Sequence, residues 1–213
     1  MPADRCPGVS DTVPPVVDER GTTRTQLLRR ATICGGAVVG GGVVWGLSQL
    51  SFAAPSDEQD GRVFKLVLAL EHVKAAFYEQ ALARAGLSGE LRDFARTVGE
   101  HEKSHVAFLE QALGSAAGPP PRPDFGDHLA DVDAFTAAAV RLEDLAVATY
   151  NGQAVNLTTA SLKAAARVVS VEARHAAWIR SIVGEVPATK PTDAPASEEE
   201  TRARLRDFGV DVG

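Results

Sequence analysis

From residue 57 onward, apolar residues recur at spacings of three and four, the period of a helix with one buried face, and the pattern runs almost to residue 184. Its punctuation divides it into four helices. The first covers about 57–85 and stops at Gly86. Ser88 is placed to cap the second, which runs to about Leu113. Asp131 or Asp133 caps the third, which ends near 150–152. Thr158 caps the fourth, which ends near 183–184. A Pro-rich stretch then leads to a short final helix, where Ser197 with Glu200 three residues on forms a capping box. That segment reads as a covering tail.

The links between helices carry the topology. Those after the first and third helices are short, which makes two antiparallel hairpins. The middle link, about residues 115–130 with four Pro, is long. Its extended reach of about 53 Å exceeds the ~39 Å of a 26-residue helix, so it can cross the bundle end to end. The expected architecture is all-α: two hairpins joined by a long crossover, then a short C-terminal helix.

Acidic residues interrupt the apolar seams at matching places. Glu71 lies among Phe64, Val67, Ala75, Tyr78 and Leu82, and Glu143 among Ala139, Ala146 and Tyr150. Both Glu have a Tyr seven residues later, two turns along the same face. Glu172 falls on a seam of Leu162, Ala165, Val169, Ala176, Ile179 and Val183, with His175 three residues after it. Glu102 and His105 repeat that E-x-x-H on a seam of Ala95, Val98, Leu109 and Ala112. A rival seam through Phe94, Val98, Phe108 and Ala112 takes in His101 instead, so periodicity leaves that helix open.

His101-Glu102-Lys103-Ser104-His105 also fits H-E-x-x-H, a zinc site with His101 and His105 as ligands and Glu102 as base. That reading predicts no echo elsewhere, whereas E-x-x-H recurs at Glu172 and His175, where Val171 stands in place of His101. The repeat favours a dinuclear site. Four carboxylates on four core seams need a counter-charge, and two divalent ions supply +4 against −4. The competing structural reading is a buried Glu/His/Arg network without metals. Arg174 and Lys103 are its available cations, although both point off the seam. Tyr78 and Tyr150 read as packing against the centre and hydrogen-bonding its carboxylates, with a redox role as the alternative. His72 and His128 read as surface residues, and Glu79, Glu100 and Glu110 as solvated charges.

Composition narrows the classes. The chain has 213 residues, is 45% apolar and 6% aromatic, and carries a formal charge of −6. No basic run tracks a nucleic-acid backbone. The only two Cys, Cys6 and Cys34, precede the helical region, which therefore holds no disulfide or Cys-based zinc site. Residues 1–54 read as an export leader: Arg20, Arg24, Arg29 and Arg30 without an acidic residue from 21 to 56, a Gly-rich apolar run over 31–47, then small residues near 51–54. Cleavage there leaves a soluble acidic domain. Uncleaved, residues 31–50 would anchor it in a membrane.

With these motifs in place, residues 57–184 resemble the ferritin-like superfamily of di-iron carboxylate proteins, and the leader resembles a twin-arginine signal of exported bacterial members. In Thr23-Arg24-Thr25-Gln26-Leu27-Leu28, Thr25 stands where the second Arg of that signal is expected. The resemblance implies a ferritin-like bundle over 55–185, followed by a linker and short helix over 186–213. It implies Glu71 and Glu143 as terminal ligands, Glu102 and Glu172 as bridging ligands, and His105 and His175 as one ligand to each of two Fe ions. Mn suits the same donors. The implied reaction is with O2 or peroxide, of ferroxidase or peroxide-detoxifying type, in a periplasmic, cell-envelope or extracellular setting. A homo-oligomer is compatible. The alternative is a non-catalytic module for stress protection or interaction. No rubredoxin-type Cys module is present, Ala146 stands where a rubrerythrin has a further carboxylate, and the only Met is Met1, which removes the haem ligand of a bacterioferritin.

Overall fold

The computed structural model describes residues 55–210, and the leader and anchor expectations lie outside them. Five α-helices follow in order: α1 Asp57–Arg84, α2 Gly89–Leu113, α3 Val132–Gln153, α4 Thr159–Ile182 and α5 Glu198–Arg206. No strand occurs among the described residues, and no described helix is long and apolar enough to cross a membrane. α1 packs against α2 and α3 against α4 as antiparallel hairpins, and the pairs α1–α3 and α2–α4 close the bundle. The crossover carries two short 3-10 turns, at Gly114–Ala116 and Gly126–Leu129.

The helix starts follow from the side chains before them. Ser56 accepts from the Gln59 N–H at 3.2 Å and Asp131 from the Ala134 N–H at 2.8 Å. Ser88 makes no such bond, contrary to expectation. Gly89, at φ +53, turns the chain there, and the Ser88 carbonyl accepts from Arg92 N–H instead. Thr158 caps α4 and is itself held. Its N–H and hydroxyl donate to the two Asp60 carboxylate oxygens at 2.8 and 2.6 Å, and Ser161 adds a third bond at 2.6 Å. Burial pushes Asp60 toward the neutral acid, but these bonds outweigh it and lower its pKa. One carboxylate thus fastens the start of α1 to the start of α4.

Two apolar clusters fill the bundle. One gathers Phe77, Phe94, Phe125, Phe135, Leu142 and Ile179, and the other Phe64, Val67, Leu109, Leu157 and Val168. On α2, Glu102 lies between Val98 and Leu109, and on α4, Glu172 lies between Val168 and Ile179, so the acidic layer falls where the clusters meet. The α4 seam is narrower than expected: Leu162 and Val183 are exposed, and Val168 is buried beside Ala165, Glu172, Ala176 and Ile179. On α2, Ala112 is exposed and the buried line runs through Phe94, Ala95, Val98, Glu102 and Leu109.

The C-terminal segment covers α3, as a tail should. Ala196 N–H donates to the Ala148 carbonyl at 2.8 Å, the Thr149 and Thr201 hydroxyls meet at 3.0 Å, and Leu205 and Phe208 join the first cluster. A side chain at Gly152 would sit 1.8 Å from the Ala196 carbonyl oxygen, so only glycine lets the tail approach.

Candidate metal centre

Glu71, Glu102, Glu143 and Glu172 are fully buried, one from each long helix, and His175 is nearly so. They form two overlapping groups with His105: Glu71, Glu102, His105 and Glu172 in one, and Glu102, Glu143, Glu172 and His175 in the other. Within each group the four donor atoms lie within 4.8 Å of one another. The shared glutamates present a different oxygen to each side. His105 Nδ1 lies 2.9 Å from Glu172 Oε1, 3.2 Å from Glu102 Oε2 and 3.9 Å from Glu71 Oε2. His175 Nδ1 lies 3.2 Å from Glu102 Oε1, 3.5 Å from Glu143 Oε2 and 3.9 Å from Glu172 Oε2. The six residues singled out in the sequence are therefore brought together, with Glu102 and Glu172 in the middle.

The two tyrosines complete the symmetry. Tyr78 on α1 donates to Glu143 Oε1 at 2.5 Å, and Tyr150 on α3 donates to Glu71 Oε1 at 2.7 Å. Each outer oxygen is engaged by the Tyr of the other hairpin, which turns the remaining oxygen inward. Burial, and then the neighbouring carboxylates, raise both phenol pKa values well above normal, so both stay protonated donors.

A third cation, absent from the expectations, sits inside the layer. Lys74, fully buried, extends Nζ to within 3.0 Å of Glu102 Oε1 and of Glu143 Oε2, makes a very short contact with Glu172 Oε2, and lies 3.8 Å from Glu71 Oε2. Lys103, a cation considered for the metal-free network, instead pairs with Glu79 and Glu100 at the surface, and Arg174 is exposed. Burial opposes charge on Lys74, but the four carboxylates outweigh it, Glu102 most, and raise its pKa well above the ordinary value. The sequence held a signal for it. Lys74 is three residues after Glu71, on the inward face, and the matching place after Glu143 is Ala146.

The electrostatics favour charge on Lys74, Glu102 and the two imidazoles and the neutral acid at Glu71. Burial pushes Glu71 up to about 8, reinforced by Glu172. Burial also raises Glu172, only partly offset by Lys74. Glu102 is held well below the ordinary range, because Lys74 and both imidazoles outweigh its burial. Burial works against the two imidazolium ions, yet carboxylate contacts raise His105 to about 12 and His175 to about 9.

His101 was the ligand of the zinc reading, and it belongs to neither donor group. Its ring stacks on His175 with centroids 5.1 Å apart, and its Nδ1 lies 2.9 Å from His175 Nε2. Burial, and then His175 and His105, lower its pKa, which suits a neutral acceptor. His175 Nε2–H then donates to His101 Nδ1, which leaves the charged ring's Nδ1–H facing the carboxylates and would leave Nδ1 free as a donor to a metal once that proton is lost. His72 and His128, expected at the surface, are half-buried: His72 packs 3.6 Å from Glu110, and His128 contacts the Asp207 carbonyl at 3.0 Å. Glu79, Glu100 and Glu110 are exposed, as expected of solvated charges.

The donor set suits a divalent metal. Glu71 Oε2, Glu102 Oε1, Glu143 Oε2, Glu172 Oε1 and His175 Nδ1 are buried without a hydrogen bond of acceptable geometry, although several lie within ion-pair distance of Lys74 or His105. Such converging, poorly hydrogen-bonded oxygens and imidazoles are what a hard or borderline cation takes up. A cleft of about 470 Å³ between α2 and α4, lined by His101, Ser104, His105, Arg174, His175 and Trp178, opens onto both candidate His ligands.

A comparison with curated proteins finds no match. Residues 59–185, more than half of the chain, match the family described as "Ferritin-like domain". The match spans all four long helices and therefore every residue of the buried Glu–His cage. The chain belongs to the ferritin-like domain family.

Proposed function

We propose that the chain binds a redox-active metal, iron with manganese as the alternative, in its buried Glu–His cage and reacts there with O2 or peroxide. The observation that carries this reading is the pair of donor groups sharing Glu102 and Glu172 beneath an open cleft. The cage glutamates and histidines would hold Fe(II), which would supply electrons to the oxidant on passing to Fe(III). The chain's own residues do the rest. Glu102 and Glu172 set the spacing of the donors, and Tyr78 and Tyr150 fix the orientation of Glu143 and Glu71. His105 and His175 lie between the cage and the cleft, where a small oxidant enters. Export rests on the leader, whose n-region, apolar run and small-residue end suit passage across a membrane.

The test is metal content of the purified chain loaded anaerobically with Fe(II), beside Glu102→Ala and His105→Ala. Stoichiometric iron, lost in Glu102→Ala and oxidised on adding O2 or peroxide, is the expected result, and the faster oxidant identifies the reaction. A second reading is a non-catalytic module. Lys74 favours it, because it neutralises part of the cage without a metal. No uptake of Fe, Mn or Zn by the intact chain would establish that reading instead.

A further inference from the structure

Resting on the reading that the cage holds a redox metal, we propose that it takes one ion, not two. The ion belongs to the group of Glu71, Glu102, His105 and Glu172, and the Lys74 side-chain nitrogen stands where a second ion would be.

The argument is one of shared oxygens. Lys74 Nζ touches Glu102 Oε1, Glu143 Oε2 and Glu172 Oε2. These are the same three atoms that face His175 Nδ1. Glu102, Glu143, Glu172 and His175 are the residues of the second group, and Nζ lies against the oxygens of it that are closest to the imidazole. An ion there would sit about 2 Å from those oxygens. That places it against Nζ in a buried, low-dielectric space, where two like charges repel strongly. The first group differs. Glu102 Oε2 and Glu172 Oε1 face His105, whereas Lys74 makes its closest approach to these two glutamates at their other oxygens, Oε1 and Oε2 respectively. Glu71, the one glutamate found only in this group, is also the one farthest from Lys74, with Oε2 at 3.8 Å.

Charge and sequence agree with the geometry. Two divalent ions and Lys74 would give +5 against the −4 of four glutamates, whereas one ion and Lys74 give +3. The repeat of the two hairpins preserves the Glu, the Tyr and the E-x-x-H pairs. Its break at Lys74, opposite Ala146, makes two otherwise equivalent metal positions unequal. His175, released from a metal, orients Glu102 and Glu143 from the cleft side.

Mn(II) titration of the full chain, read by bound metal per chain and by electron paramagnetic resonance, tests this. The expected result is one Mn(II) per chain with the spectrum of an isolated ion. Binding should weaken at least a hundredfold in His105→Ala and less than tenfold in His175→Ala. Lys74→Ala should take two ions with an exchange-coupled spectrum. If Lys74→Ala does not fold, the two His variants decide: an ion lost with His175→Ala and kept with His105→Ala overturns the proposal. Two ions in the unmodified chain overturn it while leaving the metal-binding reading intact. No ion in either the unmodified chain or Lys74→Ala, with Fe(II) as well as Mn(II), overturns both.

Discussion

Four glutamates converging in a bundle interior repel one another strongly, and in the metal-free chain it is Lys74 that relieves them from within. Removing one partner of a buried ionic group strands the others, at a cost of about 3–5 kcal/mol. Lys74→Met should therefore lower the unfolding free energy by that much in chelator, measured by urea denaturation. Excess Mn(II) should restore most of it. A metal-free variant as stable as the parent would show that Lys74 is not the counter-ion. The tyrosines act on a smaller scale. Tyr150→Phe leaves Glu71 Oε1 buried without its donor, and Tyr78→Phe does the same to Glu143 Oε1. Each should lose about 1–3 kcal/mol in the same assay while keeping its metal stoichiometry. The glutamates and histidines of this layer were legible because a repeat doubled them. Lys74 was not, because a lysine on a long helix is ordinarily solvated and only its register with Glu71 sets it apart.

Helices were legible where punctuation and periodicity agreed. Ser56, Asp131 and Thr158 cap as short polar side chains should, and the capping box at Ser197 and Glu200 forms in full. The α4 seam was overextended for a geometric reason. Leu162, Val169, Ala176 and Val183 repeat every seven residues, and a straight helix drifts about 20° per heptad from such a repeat. Over three heptads the ends rotate off the core, which leaves Leu162 and Val183 at the surface and brings Val168 in. Nor could periodicity reveal which helix the tail covers, since that depends on a close backbone approach at Gly152. Gly152→Ala tests that contact. Its Cβ would collide with a backbone oxygen, so the segment over 186–197 must lift. Cleavage of that segment should speed up under limited proteolysis, with a stability loss of about 1–3 kcal/mol and the bundle itself still resistant.

For the whole molecule, the ionised cage dictates how stability moves with pH. His175 titrates near 9 in the folded chain against 6.5 unfolded. The folded state holds the extra proton, so this contribution is complete below pH 6.5 and disappears as pH rises through about 9. Glu71 behaves alike, because burial favours its neutral form: its contribution is complete below 4.5 and lost by about 8. Glu102 runs the other way, present above its usual pKa and lost only in acid. The metal-free chain should therefore lose stability between pH 6.5 and 9. His175 alone accounts for about 3 kcal/mol at 1.36 kcal/mol per unit, or roughly 10 °C in Tm for a domain of this size. A bound metal reverses the slope, since its ligands must shed protons and affinity rises with pH. Thermal melts from pH 6.5 to 9, in chelator and in Mn(II), should diverge: Tm falls in the first series and the gap between the two widens steadily. A flat metal-free series would mean that the imidazoles and Glu71 do not hold the protons that the cage geometry demands. Parallel series would mean that the metal does not displace the protons of His105 and Glu71 and binds elsewhere.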